Sequence, residues 1–161
     1  MGAGRRTARI LAALVICTVT GAAGACADGG GGGGDGSFEL QDKWDGMLTN
    51  AVRAKPAACT VGVGAGCEAH AAAIDAVAGK VLADVRARPD KDRYQAAIDA
   101  ATTITGQYDD YFGRMCATVP EVTFTPEETQ KFIDCTNLYT SIVTGVNDLR
   151  FGLRPSDESD A

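Results

Sequence analysis

The chain has one histidine, four serines and one tryptophan among its 161 residues. A single imidazole excludes the carboxylate-bridged di-metal bundles, which need a Glu-x-x-His pair on each of two helices. A c-type haem is excluded too, because no Cys-x-x-Cys-His run occurs. None of the serines (Ser37, Ser141, Ser156, Ser159) sits in a glycine elbow, and a serine nucleophile also wants a base held by a third group. Lysine is scarce, and no apolar run reaches the roughly 20 residues that a membrane-spanning helix requires.

The first 36 residues are organised differently from the rest. Arg5, Arg6 and Arg9 make a cationic start, Ile10 to Ile16 an apolar stretch, and Gly21 to Ala25 a run of small residues. That order is the order of an export signal. Whether the Arg5-Arg6 pair directs twin-arginine rather than general export stays open, since Thr7, Ala8 and Arg9 fit the twin-arginine pattern poorly. The small run ends at Cys26. Ala23-Gly24-Ala25-Cys26 resembles the lipobox of bacterial prolipoproteins, departing at Ala23, where leucine is common. The resemblance covers the signal and anchor only. It implies a diacylglycerol thioether on Cys26, cleavage before it, and a protein held on the extracytoplasmic face of the cell membrane by its lipid. The wealth of Ala, Gly, Asp and Arg resembles the proteins of high-GC bacteria such as actinomycetes, which says nothing about function.

Residues 28–36 are almost pure glycine, with Asp35 inside the run. Glycine has no side chain to bury and the most backbone freedom to lose, so this stretch is expected to stay unfolded. About ten such residues span roughly 18 Å on average, a tether between anchor and domain. The run lacks the Gly-Lys-Ser/Thr ending of a phosphate loop.

Residues 1–25 contain three arginines and no acid, which leaves the mature chain with 12 basic and 21 acidic side chains and a net charge of −9. Such a surface repels nucleic acid and anionic lipid headgroups, so no nucleic-acid partner is expected. Setting aside Cys17 in the signal and Cys26 at the anchor leaves Cys59, Cys67, Cys116 and Cys135. An even number in an exported domain points to two disulfides.

The rest reads as four amphipathic helices over 37–153, followed by an acidic tail, 154–161, expected to be disordered. Segment one starts at Ser37 as a candidate cap and runs to about Lys55, with Leu40, Trp44, Met47, Leu48 and Ala51 on one face. Pro56 ends it, and 57–66 reads as a loop. Segment two, from about Cys67 to Arg88, carries Ile74, Val77, Val81 and Val85. Arg88-Pro89-Asp90 breaks the chain, with Asp90 as the next candidate cap. Segment three, from about Lys91 to Cys116, repeats apolar residues at three- and four-residue steps from Tyr94 to Met115. Segment four opens with Thr125-Pro126-Glu127-Glu128, a capping box with proline at the first helical position.

Four such stripes with short connections predict an all-α, up-down four-helix bundle stapled by two disulfides. Both the 57–66 and the 117–124 connections then lie at one end, with all four cysteines near it. Local closure favours Cys59–Cys67 and Cys116–Cys135, while the shared end leaves crossed pairings open.

His70 falls on the core face of segment two, which suits a buried, hydrogen-bonded ring. Its spacing from Cys67 also makes half a metal site, but a zinc site needs about four ligands, and Cys67 is better used in a disulfide. Asp109-Asp110 and Glu127-Glu128 are adjacent acids that point in different directions on a helix, and read as solvated face and cap. Tyr108, Tyr111, Phe112, Met115 and Tyr139 could meet near the disulfide end. They read first as core, and second as a pocket for an apolar ligand or partner. The expectation is therefore a membrane-anchored, non-enzymatic binding or interaction module with no metal and no cofactor. Its partner would be an envelope protein or a small ligand; a small-molecule or metal-binding lipoprotein is the alternative.

Overall fold

A computed structural model describes residues 38–122 and 125–156. The export signal, Cys26, the glycine run, Ser37 and the tail from 157 onward lie outside the described residues.

Four α-helices and two short 3-10 turns make up the described chain: α1 (Glu39–Arg53), α2 (Ala65–Arg86), a turn at Lys91–Tyr94, α3 (Gln95–Gly113), a turn at Cys116–Thr118, and α4 (Pro126–Gly152). No strand occurs among the described residues. Each helix packs on its neighbours in chain order, α1 closes the ring against α4, and the interface of α3 with α4 is the most extensive. This is the expected up-down four-helix bundle. The chain enters at Phe38 at one end, and both disulfides sit at the other.

One continuous core holds it together. Leu40, Trp44, Leu48 and Ala51 come from α1, Ile74, Ala78, Val81 and Val85 from α2, Ala97, Ala101, Ile104 and Tyr111 from α3, and Tyr139, Ile142, Val146 and Leu149 from α4. Alanines at the centre of α2 and α3 let the helices approach closely. Gly152 marks a close approach of α4 to the start of α3. A Cβ there would press into the backbone nitrogen of Ala97 and lie 2.7 Å from the carbonyl carbon of Ala96. The seam between α1 and α4 is looser and opens into two clefts of about 170 and 210 Å³, both reaching Asn147 and Arg150.

The helix termini show where local signals held and where packing overrode them. The capping box at Thr125 is complete: Thr125 Oγ1 accepts from the Glu128 amide at 3.1 Å, and Glu128 Oε2 accepts from the Thr125 amide at 3.0 Å. Asp90, expected as a cap, makes no side-chain cap bond, because its carboxylate takes Arg88 Nε at 2.9 Å instead. Phe38 occupies the N-cap of α1 without a side-chain bond, and α2 starts two residues before Cys67, behind Gly64.

Segment three differs most from expectation. It was expected to run as helix from about Lys91 to Cys116, with Phe112 and Met115 facing the core. Its first four residues instead form the 3-10 turn, and α3 stops at Gly113. Met115 turns left-handed, at φ 54° and ψ 47°. Ending the helix early swings Cys116 inward to Cys135 and leaves Met115 outside. Phe112 and Met115 are 60% and 62% exposed. Met47 is also exposed on α1 rather than in the core.

Candidate functional site

The disulfide end is built from two connections tied to each other and to α4. Cys59–Cys67 closes the loop between α1 and α2, and Cys116–Cys135 ties the end of α3 to α4, with Cα–Cα distances of 4.7 and 5.5 Å. All four cysteines are buried. These are the local pairings, and the crossed ones do not occur. The two connections also touch directly, since the Gly64 amide donates to the Cys116 carbonyl at 3.1 Å.

Polar groups beneath the loops complete the joint. The Tyr111 hydroxyl donates to the Gly62 carbonyl at 3.0 Å, and Thr136 Oγ1 to the Val61 carbonyl at 2.9 Å. Gly62 sits at φ +84°, where a Cβ would lie 3.2 Å from both Tyr139 Cδ1 and the Thr136 Cα. Only glycine meets both demands without strain.

His70 is 2% exposed and lies between three elements. Nε2 is 2.9 Å from the Ala51 carbonyl and 3.1 Å from that of Val52, and Nδ1 is 2.6 Å from the Tyr139 hydroxyl. Carbonyls can only accept, so Nε2 carries a proton. In the neutral ring, Nδ1 then accepts from the Tyr139 O–H. The last carbonyls of a helix have no partner within it, and two of those of α1 find theirs on His70. The sequence-level reading of a satisfied core histidine therefore describes its place. Both ring nitrogens are engaged in holding α1, α2 and α4 together.

Burial dominates the titration of the phenols. Tyr111 is pushed up to about 12, mostly by burial, with the nearby Glu68 carboxylate and then Tyr139 adding to it. Tyr139 is raised by burial alone. Tyr108 is raised by burial first and by Glu68, Asp75 and Asp109 after it. Near neutral pH all three hydroxyls therefore keep their protons, and Tyr111 and Tyr139 act as donors.

The five residues expected to form a pocket do not share one. Tyr111 and Tyr139 pack together inside, with ring centroids 6.4 Å apart. Tyr108 and Phe112 form a separate pair with the same 6.4 Å separation, and Phe112 and Met115 face solvent. The reason is angular. Tyr111 and Phe112 are successive residues on α3, about 100° apart around its axis, so a buried Tyr111 turns Phe112 out.

An open groove that sequence reasoning missed lies nearby. About 430 Å³ in volume, it is lined by Arg114, Glu127, Gln130, Lys131 and Asp134. Arg114 Nη1 bridges to Asp134 Oδ2 at 2.9 Å and draws the end of α3 to α4. No group of three or more His, Cys, Asp or Glu side chains suited to a metal ion occurs among the described residues. No helix among them is long and apolar enough to cross a membrane.

Comparison with family models, with curated proteins and with solved structures returns no significant match for the chain.

Proposed function

We propose that this chain is a bacterial lipoprotein, anchored through Cys26 on the extracytoplasmic face of the cell membrane, whose bundle acts as a non-enzymatic binding or interaction module at the envelope. The observation that carries the reading is the cysteine arithmetic. Cys59, Cys67, Cys116 and Cys135 are all bonded to one another, which suits an oxidising compartment. Cys26 is the one mature cysteine outside these two pairs, at the position where the lipobox puts the lipid. The engagement of both His70 nitrogens with helix ends supports the non-enzymatic part, since a general base needs a free nitrogen aimed at substrate.

Fractionation of cells expressing Cys26→Ala tests the reading. The variant is expected to leave the membrane fraction while keeping the helical circular dichroism and both disulfides of the parent. Unchanged membrane association would refute the anchor. Native mass spectrometry of the protein purified from its host addresses the binding role: a stoichiometric small mass or metal would move the reading to the small-molecule or metal-binding alternative.

A further inference from the structure

We infer that the disulfide end is the docking surface of the bundle, and that its partner is a cationic, amphipathic segment of another protein. This deepens the interaction-module reading and rests on it.

The first observation is apolar exposure. Among the described residues eight large apolar side chains are exposed, and five of them (Val61, Phe112, Met115, Val122 and Ile133) belong to the disulfide end. Water around such groups is released when a partner covers them, and exposed apolar groups gathered in one region mark interaction sites. Met115 is held outward by a left-handed backbone, a conformation that residues with a Cβ rarely adopt. Val61 is fixed through the Thr136 bond to its carbonyl. The backbone at these two positions is therefore set in advance, which lowers the order to be gained on binding.

The second observation is charge. Residues 53–68 and 109–134 carry seven acids against four bases, whereas residues 38–46, 80–99 and 145–156 at the opposite end carry eight of each. The opposite end also neutralises itself, with four of the five ion pairs found among the described residues. At the disulfide end Arg114 and Asp134 make the fifth. Asp109, Asp110 and Glu121 make no ion pair among the described residues, and all three are exposed.

Exposed apolar side chains at an end with excess negative charge select the occupant. Anionic phospholipid headgroups are repelled. A second copy would bring the same acids face to face. A segment with apolar residues on one face and Lys or Arg beside them satisfies both features and is steered in by the field.

The test uses the full lipid-anchored chain in its own cells, with a photoreactive residue in place of Met115 and, separately, in place of Met47. Position 115 is expected to give one discrete protein adduct whose cross-linked peptide is rich in Lys or Arg and apolar residues. Asp110→Lys with Glu121→Lys, and independently Phe112→Ser, should each cut its yield about tenfold or more. All three residues are exposed, so unchanged disulfides and circular dichroism will separate this loss from misfolding. An adduct to lipid or to a second copy overturns the inference, as does one indifferent to charge reversal. Adducts at 47 with none at 115 overturn this surface but leave the interaction module standing. Adducts at neither position overturn both.

Discussion

The two ends of the bundle are held together by different means. Where the chain enters, helices meet through close backbone contact at Gly152 and through salt bridges that cross between elements: Lys43 to Asp84, Arg88 to Glu39, Arg150 to Asp45. At the other end, two disulfides and hydrogen bonds from buried phenols, an imidazole and a threonine hold the connections. Exposed ion pairs contribute little individually, typically under about 1 kcal/mol. Covalent staples and buried hydrogen bonds are independent of surface charge. An end held in that way can leave Asp109, Asp110 and Glu121 out of the ion pairs found among the described residues, and its apolar side chains outside, without loosening.

The largest expected effect follows from removing the staples. Replacing both cysteine pairs with serine should lower stability by about 5–6 kcal/mol in the chain-entropy view of disulfides. That rivals the whole stability of a small domain. Denaturant titration would show the loss, and hydrogen exchange should place the first opening at the two connections rather than at Gly152. Opening that begins at the chain-entry end would break the comparison.

Alkali should discriminate next. The Tyr111 hydroxyl titrates near 10 in the unfolded chain and about 12 in the fold. Its proton is held more tightly by the folded state, so the associated stability is intact below pH 10 and is lost as pH rises through 12. A shift of about two units corresponds to roughly 3 kcal/mol. Tyr111→Phe gives up the bond to Gly62 but should flatten most of this alkaline loss in a series of melts. A variant that loses stability above pH 10 as steeply as the parent would place the cause elsewhere.

Gly152→Ala probes the entry end. The added methyl meets the backbone of Ala96 and Ala97, which cannot rotate away. A cost of about 2–3 kcal/mol is expected for such overpacking, read as a lowered Tm with both disulfides intact. The smallest effect belongs to Asp84, which accepts from Lys43 Nζ at 2.8 Å and Trp44 Nε1 at 2.7 Å. Those two hydrogen bonds, Lys43 before Trp44, hold its carboxyl below the ordinary range. The sign is opposite to that of Tyr111: this stability is present above about pH 4 and fades as pH falls through the folded value. Asp84→Asn should remove under about 1 kcal/mol at neutral pH and blunt the acid limb of the stability profile.

How far the sequence disclosed all this depended on whether a signal was local. The helix faces, the capping box at Thr125 and the proline breaks each arise within a few residues, and each was legible. The cysteine pairing was legible as a preference, because short loops close at the least entropic cost. Segment three misled because Met115 continues the three-and-four spacing past Gly113, which outweighed the glycine as a stop signal. The stop is imposed by Cys116 reaching Cys135 on another helix. Phe112 was legible in principle: it follows Tyr111 directly, and successive residues on a helix lie about 100° apart. Asp84 meeting Trp44, and His70 capping the carbonyls of α1, depend on pairs 40 and about 19 residues apart, beyond the reach of spacing arguments.

The chain carries its own reporters for the contrast between its ends and faces. Met115 lies on the disulfide end and Met47 on the outer face of α1, and both side chains are exposed. Brief peroxide or hydroxyl-radical treatment, followed by peptide mass spectrometry, would compare their oxidation in intact cells with that in the purified protein. The account predicts that Met115 is protected severalfold in cells while Met47 oxidises equally in both. Equal oxidation of Met115 in the two samples, or protection confined to Met47, would contradict it.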